Sequence, residues 1–186
     1  MNIRGKKIEL KAIEIEDLSL LHKWSNDPEI NYMLGGWHFP SSLTDQEKWY
    51  NSLALSSLNQ RFAIHTSDLG LIGMANLVEI NWKDRNAFHG MLLGEKDLRG
   101  KGYGVDTIMA ISRYAFEELG LMRLDSTIIS NNEASIAVYT KRCGWQIEGV
   151  KKNAYFRRNK WWNQLVIGIT RDDYFNLLKD NNYWDE

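Results

Sequence analysis

The sequence predicts an α/β domain built on a mixed sheet of about seven strands flanked by helices, and three observations carry that prediction. Segments with strand-like alternation and segments with helical spacing follow one another along the 186 residues. The strands in the middle of the chain are joined by only a few residues each, which makes them antiparallel neighbours. The last of these strands leads through a glycine-rich loop and a helix into the next strand, and a crossover of that kind makes the pair parallel.

Each element has a local reason. In residues 8–15, Ile8, Leu10 and Ala12 alternate with Glu9, Lys11 and Ile13, as in an outer strand. Asp17 stands where it can cap a helix carrying Leu18, Leu20, Leu21 and Trp24. Pro28 breaks that helix, because the residue before a proline avoids the helical region. Residues 28–34 read as a short helical piece and 35–40 as a loop. Thr44 and Glu47 have the spacing of a capping box for a helix that turns Trp49 and Leu53 inward. Strands follow at 61–65, 71–80 and 87–94, separated by turns at 67–70 and 82–86. In the main helix Val105, Ile108, Met109, Ser112, Ala115, Phe116 and Leu119 share one side, and Gly120 ends it. A strand at 123–130, a helix at 132–142 stopped by Gly144, and a strand at 145–150 come next. Residues 151–159 read as a polar, basic and aromatic connection, 160–170 as a strand rich in Trp, Leu, Val and Ile, and 172–180 as a closing helix.

Bulk properties narrow the function classes. Residues 1–186 are long enough for one domain with a sizeable core, and 44% hydrophobic residues exclude a disordered chain. With 23 basic against 24 acidic residues the formal charge is −1, so nothing at whole-molecule level calls for nucleic acid or an anionic membrane. A single cysteine, Cys143, excludes an intrachain disulfide and a cysteine-cluster metal site, so no metal is expected. No secretory leader and no apolar run of membrane-spanning length occur, which leaves the cytoplasm as the expected location. The outer strands could pair in a dimer, so the expected state is monomer or homodimer.

The chemistry concentrates in FHGMLLGEKDLRGKGYG, residues 88–104, running straight into the main helix. Glycines at 100, 102 and 104 lie between an apolar strand and a helix start. Glycine permits close approach and unusual dihedrals, and the first N–H groups of a helix are unpaired at the positive end of its dipole. Together these make a cradle for a phosphate or pyrophosphate. Lys101 is followed by Gly102, so the loop is not a P-loop, and its G-x-G-x-G spacing is not the dinucleotide fingerprint.

The segment GEKDLRGKGYG (94–104) resembles the acetyl-CoA pyrophosphate loop of the GNAT superfamily of N-acetyltransferases, in the branch of ribosomal-protein alanine and spermidine acetyltransferases. NEASIAVYTKRCGW (132–145) is similar to that family's second signature, with tryptophan where the family often has phenylalanine. The resemblance covers the element order from Ile8 to about Phe175 and implies the GNAT fold with acetyl-CoA as cosubstrate. It further implies that Arg99, Gly100, Lys101, Gly102, Tyr103, Gly104 and Val105 bind the pyrophosphate. Met91, Leu92 and Leu93 would pair with the pantetheine arm, Asn132 and Ser135 would lie near it, and Tyr139 would face the sulfur.

Acetyl transfer to an amine needs a neutral lone pair close to the carbonyl, donors for the developing oxyanion, and a proton for the leaving thiolate. Tyr139 is the candidate acid, and the backbone N–H near Leu93 the simplest oxyanion donor. Glu79 and His89 are the candidate bases, with ordered water as the alternative. For the acceptor the chain offers Glu29, Tyr32, Trp37, Phe39 and Tyr155, with acidic groups that would attract an amine and Arg157, Arg158 and Lys160 that would meet an anion. A polyamine, an aminoglycoside or an amino sugar fits, and a protein N-terminus remains open. So does a regulatory protein that binds CoA without turnover.

Overall fold

Ala63 and Ile64 are adjacent and fully buried, yet they belong to different apolar clusters. Successive side chains leave a strand on opposite faces, so the sheet is covered on both. The computed structural model describes residues 1–36 and 39–185. Over these, eight strands form one open mixed sheet in the order β1-β2-β3-β4-β5-β6-β8-β7. The strands are β1 (Ile3–Arg4), β2 (Glu9–Lys11), β3 (Gln60–Thr66), β4 (Gly70–Asn81), β5 (Asn86–Leu93), β6 (Arg123–Ile129), β7 (Gln146–Arg157) and β8 (Lys160–Thr170). The helices are α1 (Leu18–Ser25), α2 (Pro28–Met33), α3 (Leu43–Asn51), α4 (Tyr103–Arg113), α5 (Glu133–Ala137) and α6 (Arg171–Asn181).

On one face Leu18, Leu21 and Trp24 of α1 and Ile30 of α2 pack with Ala63, and Trp49 of α3 lies against them. On the other, Ile108, Met109 and Ile111 of α4 pack with Ile64, Leu77, Leu124 and Ile167, and Tyr174 of α6 joins them. The helix spacing read from the sequence is what fills this second layer.

Several boundaries differ from the sequence reading, each for a local reason. The predicted first strand is confined to β2, and the eighth strand is the short β1, which pairs with β2 through Ile3↔Leu10. Asp17 does not cap α1: its carboxylate accepts from the Glu14 N–H at 3.0 Å and lies 3.7 Å from His65, closing a 3₁₀ turn over Ile15–Asp17 instead. The capping box of α3 is Ser42 with Asp45, two residues before the expected Thr44 with Glu47. The predicted connection at 151–159 is strand. β7 runs through it to Arg157, and the turn is just Arg158 and Asn159, with φ of 48° and 59°. Two left-handed central residues are the signature of a hairpin turn matched to strand twist. The main helix and α5 each finish in a wide π turn, Tyr114–Glu118 and Val138–Arg142.

One feature of the sheet positions the site. β5 pairs with β4 as far as Leu93↔Gly73, and β6 pairs with β8 as far as Ile129↔Gln164. Among the described residues, however, β5 and β6 pair with each other only from Asn86 to Phe88 against Arg123 to Asp125. Beyond Phe88 the two central strands part.

Candidate active site

A cavity of about 520 Å³ opens where β5 and β6 separate. Met91, Leu92 and Leu93 line it from β5; Arg99, Gly100, Gly102, Tyr103, Gly104 and Val105 line it from the loop and the start of α4. Asn132 and Ser135 line it from α5, and Tyr139 from the π turn that follows. Two patterns separated in the sequence therefore meet on one opening. Lys101 is the member of the predicted loop set that does not line it.

The loop geometry depends on glycine. Gly100 and Gly102 have φ of 76° and 88°, the left-handed region that glycine enters at least cost. Gly102 is the N-cap of α4, and no side chain caps that helix start. The first amides of α4 are thus left for an anion, and Arg99 lines the same cavity.

Asn132 is already engaged. Its side-chain oxygen accepts from Ser135 N–H at 3.1 Å, capping α5, and its amide donates to the Met33 carbonyl at 3.1 Å, tying α2 to the cavity. Tyr139 is 5% exposed and stands edge-on to Trp145, with ring centroids 5.0 Å apart. Its hydroxyl is hydrogen-bonded with Ser126, and burial raises its pKa well above the ordinary 10, so it is a neutral phenol with a proton to give.

Neither candidate base lines the cavity. Glu79 is exposed, with φ of 54°, at the irregularity in the β4–β5 ladder, where its N–H donates to Asn59. His89 is fully buried beneath the site, its ring 6.0 Å from Tyr139 and 6.1 Å from Trp145. Its Nδ1 lies 2.9 Å from the Asn76 carbonyl, and desolvation pushes its pKa down to about 4.

None of the predicted acceptor residues Glu29, Tyr32, Phe39 and Tyr155 lines the cavity. Glu29 forms an ion pair with Arg158, whose guanidinium lies 4.2 Å from the centre of the Tyr32 ring. The Tyr155 hydroxyl accepts from Gln164 and abuts Gly35, where a Cβ would collide with it. Glu29, Tyr32 and Tyr155 therefore latch α2 to the β7–β8 hairpin. Phe39 is 67% exposed, and Trp37 lies outside the described residues. The cavity is also lined by Ile30, Met33 and Leu34 on the α2 side, by Glu133, and by Arg142 next to Cys143, whose Sγ lies 4.0 Å from the Val105 carbonyl; the sequence reading chose none of these further lining residues for the site. The spacing of Ile30, Met33 and Leu34, and Arg142 standing three residues after Tyr139, were the available signals.

Among the described residues no three His, Cys, Asp or Glu side chains gather as a metal site, and no helix is long and apolar enough to cross a membrane. Cys143 is 1% exposed, and burial pushes its thiol up to about 12, far from a reactive thiolate at neutral pH.

Known proteins share this arrangement. The family described as acetyltransferase (GNAT) domain matches residues 7–146. A prophage-derived N-acetyltransferase of Bacillus subtilis, YokL, is 28% identical over 170 residues, covering 91% of this chain and 93% of its own. Spermidine N(1)-acetyltransferase of Vibrio cholerae is 25% identical over 173 residues, covering 92% and 98%. The crystal structure of Vibrio cholerae spermidine N-acetyltransferase in complex with CoA and spermine superposes with a TM-score of 0.84 at 24% identity, covering 92% of this chain and 100% of that one. With the family matched across its glycine loop and its parted strands, the chain belongs to the GNAT acetyltransferases and is an acetyl-CoA-dependent N-acetyltransferase.

Proposed function

We propose that residues 1–186 act as one catalytic domain that acetylates a small-molecule primary amine, a polyamine in the first instance. The observation that carries this reading is the reach of the cavity, from the glycine loop past Tyr139 to the apolar wall of Ile30, Met33 and Leu34. A polyamine alternates methylene runs with ammonium groups, and that wall together with the Glu133 carboxylate suits both parts. The similarity to a spermidine acetyltransferase along nearly the whole chain supports the same choice. The single, buried Cys143 supports a place in the reducing cytoplasm.

In this mechanism the amides at the start of α4 and the Arg99 guanidinium hold the diphosphate of the cosubstrate. Met91, Leu92 and Leu93 present strand backbone that β6 does not use, to which an extended pantetheine arm adds as a further strand would. The acceptor amine, deprotonated by water, forms the new C–N bond to the acetyl carbonyl. An N–H near Leu93 stabilises the oxyanion. Tyr139 gives its proton to the sulfur as the C–S bond breaks, and the surplus proton on the new amide nitrogen returns through solvent to the Tyr139 oxygen, restoring the acid.

The test is thiol release from acetyl-CoA with spermidine, spermine, aminoglycosides, amino sugars and short peptides as acceptors. The expected result is the highest kcat/KM for spermidine or spermine. Turnover with peptides or aminoglycosides and none with polyamines overturns the assignment.

A further inference from the structure

Asp106 is 1% exposed in the first turn of α4, the turn that receives an anion. A carboxylate there would repel a phosphate if it faced the cavity, but it faces away and is fully engaged. Its Oδ1 accepts from the Lys6 N–H at 2.8 Å, and its Oδ2 from the Lys7 and Ile8 N–H groups at 2.6 and 2.9 Å. The Tyr183 hydroxyl donates to Oδ1 at 2.8 Å. Gly5 makes the approach possible, since a Cβ there would overlap the carboxylate. The segment before β2 is thereby bolted to the back of the glycine loop.

The bolt places one cation. Lys7 Nζ donates to the carbonyl of Lys101 at 2.9 Å. Neither lysine lines the cavity, whereas Gly102, the next residue, does. In a planar trans peptide the C=O and N–H point in opposite directions. A carbonyl held on the outer side by Lys7 therefore turns the Gly102 N–H toward the inner side. We propose that Lys7, anchored by Asp106, is a positioning residue that fixes the Lys101–Gly102 peptide so that the Gly102 amide donates to the coenzyme's diphosphate. This rests on the reading that the glycine loop holds that group. A flexible loop with two left-handed glycines would otherwise lose entropy on ordering around the ligand, and a peptide already oriented loses less.

The test compares wild type with Lys7→Met and Lys7→Arg. Calorimetry gives the affinity for CoA and for 3′-dephospho-CoA, which keeps the diphosphate, and NMR gives amide exchange at Gly102, Gly104 and Val105. Lys7 is exposed, so an unchanged thermal midpoint is expected of both variants. In Lys7→Met both ligands should bind about tenfold more weakly, the weight of one hydrogen bond. The Gly102 amide should lose its ligand-induced protection while Gly104 and Val105 keep theirs, and Lys7→Arg should recover most of both effects. Wild-type affinity and Gly102 protection in Lys7→Met overturn the role of Lys7. Absence of ligand-induced protection across 102–105 in the wild type overturns instead the loop reading beneath it.

Discussion

Tyr139 shows what one buried hydroxyl implies. Its proton stays in place at any ordinary pH because desolvation raises its pKa. Tyr139→Phe should lower kcat by roughly 10–10³-fold, the range of a positioned proton transfer, with CoA affinity unchanged by calorimetry. His89 gives a different prediction. Folded, it stays neutral down to about pH 4; unfolded, it takes up a proton near its ordinary value of about 6.5. Between those values the unfolded chain binds more protons, so stability falls as pH falls from about 6.5 toward 4, by at most on the order of 3 kcal/mol. Urea midpoints measured across that window should decline more steeply in the wild type than in His89→Gln. The two patterns that define the site were legible in the sequence because each is local: three glycines before a helix, and an asparagine seven residues before a tyrosine. The bases were not. His89 does share strand parity with Met91 and Leu93, but whether Tyr139 and Trp145 cover it depends on tertiary packing that parity does not encode.

At the scale of elements, α2 is the short piece on which the acceptor end depends. Its six residues are too few to be stable alone. Asp27 caps it, accepting from the Glu29 and Ile30 N–H groups at 2.7 and 3.2 Å, and the Arg158–Glu29 ion pair fastens it to the hairpin. Asp27→Ala should cost about 1 kcal/mol by chemical denaturation and raise KM for the acceptor more than KM for acetyl-CoA, because Ile30 and Met33 wall that end. A buried junction answers to a different force. β5 ends against the Trp24 indole, where a Cβ on Gly94 would overlap the ring. Gly94→Ala should lower stability by roughly 1–3 kcal/mol, as overpacking does, read as a drop in thermal midpoint. The first part of β7 was read as a strand at 145–150, but its continuation through 151–157 was illegible for the opposite reason. As an edge strand it is exposed on nearly every residue, so it lacks the alternation that marks a half-buried strand.

Across the whole molecule the order of strands and helices was legible, because short connections and one helical crossover leave few topologies open. The long-range closures were not. Tyr183 reaches Asp106 across 77 residues, and Trp184 lies under the Arg113 guanidinium at 3.7 Å, with no local pattern announcing either. Removing residues 183–186 should therefore lower the thermal midpoint, because it takes away the Tyr183–Asp106 and Trp184–Tyr174 hydrogen bonds, the cation–π contacts of Lys6 and Arg113, and the packing of both rings on the core. The parting of β5 from β6 has a mechanical consequence. Three residues of each strand join β5 to β6, fewer than at any other junction from β3 to β7, so under load this seam is the weakest line among the long strands of the sheet. A pantetheine arm lying in the gap would act as a suture across it. Pulled in an optical trap by handles on β4 and β8, the free enzyme should yield at low force, and the CoA-bound enzyme at a distinctly higher one.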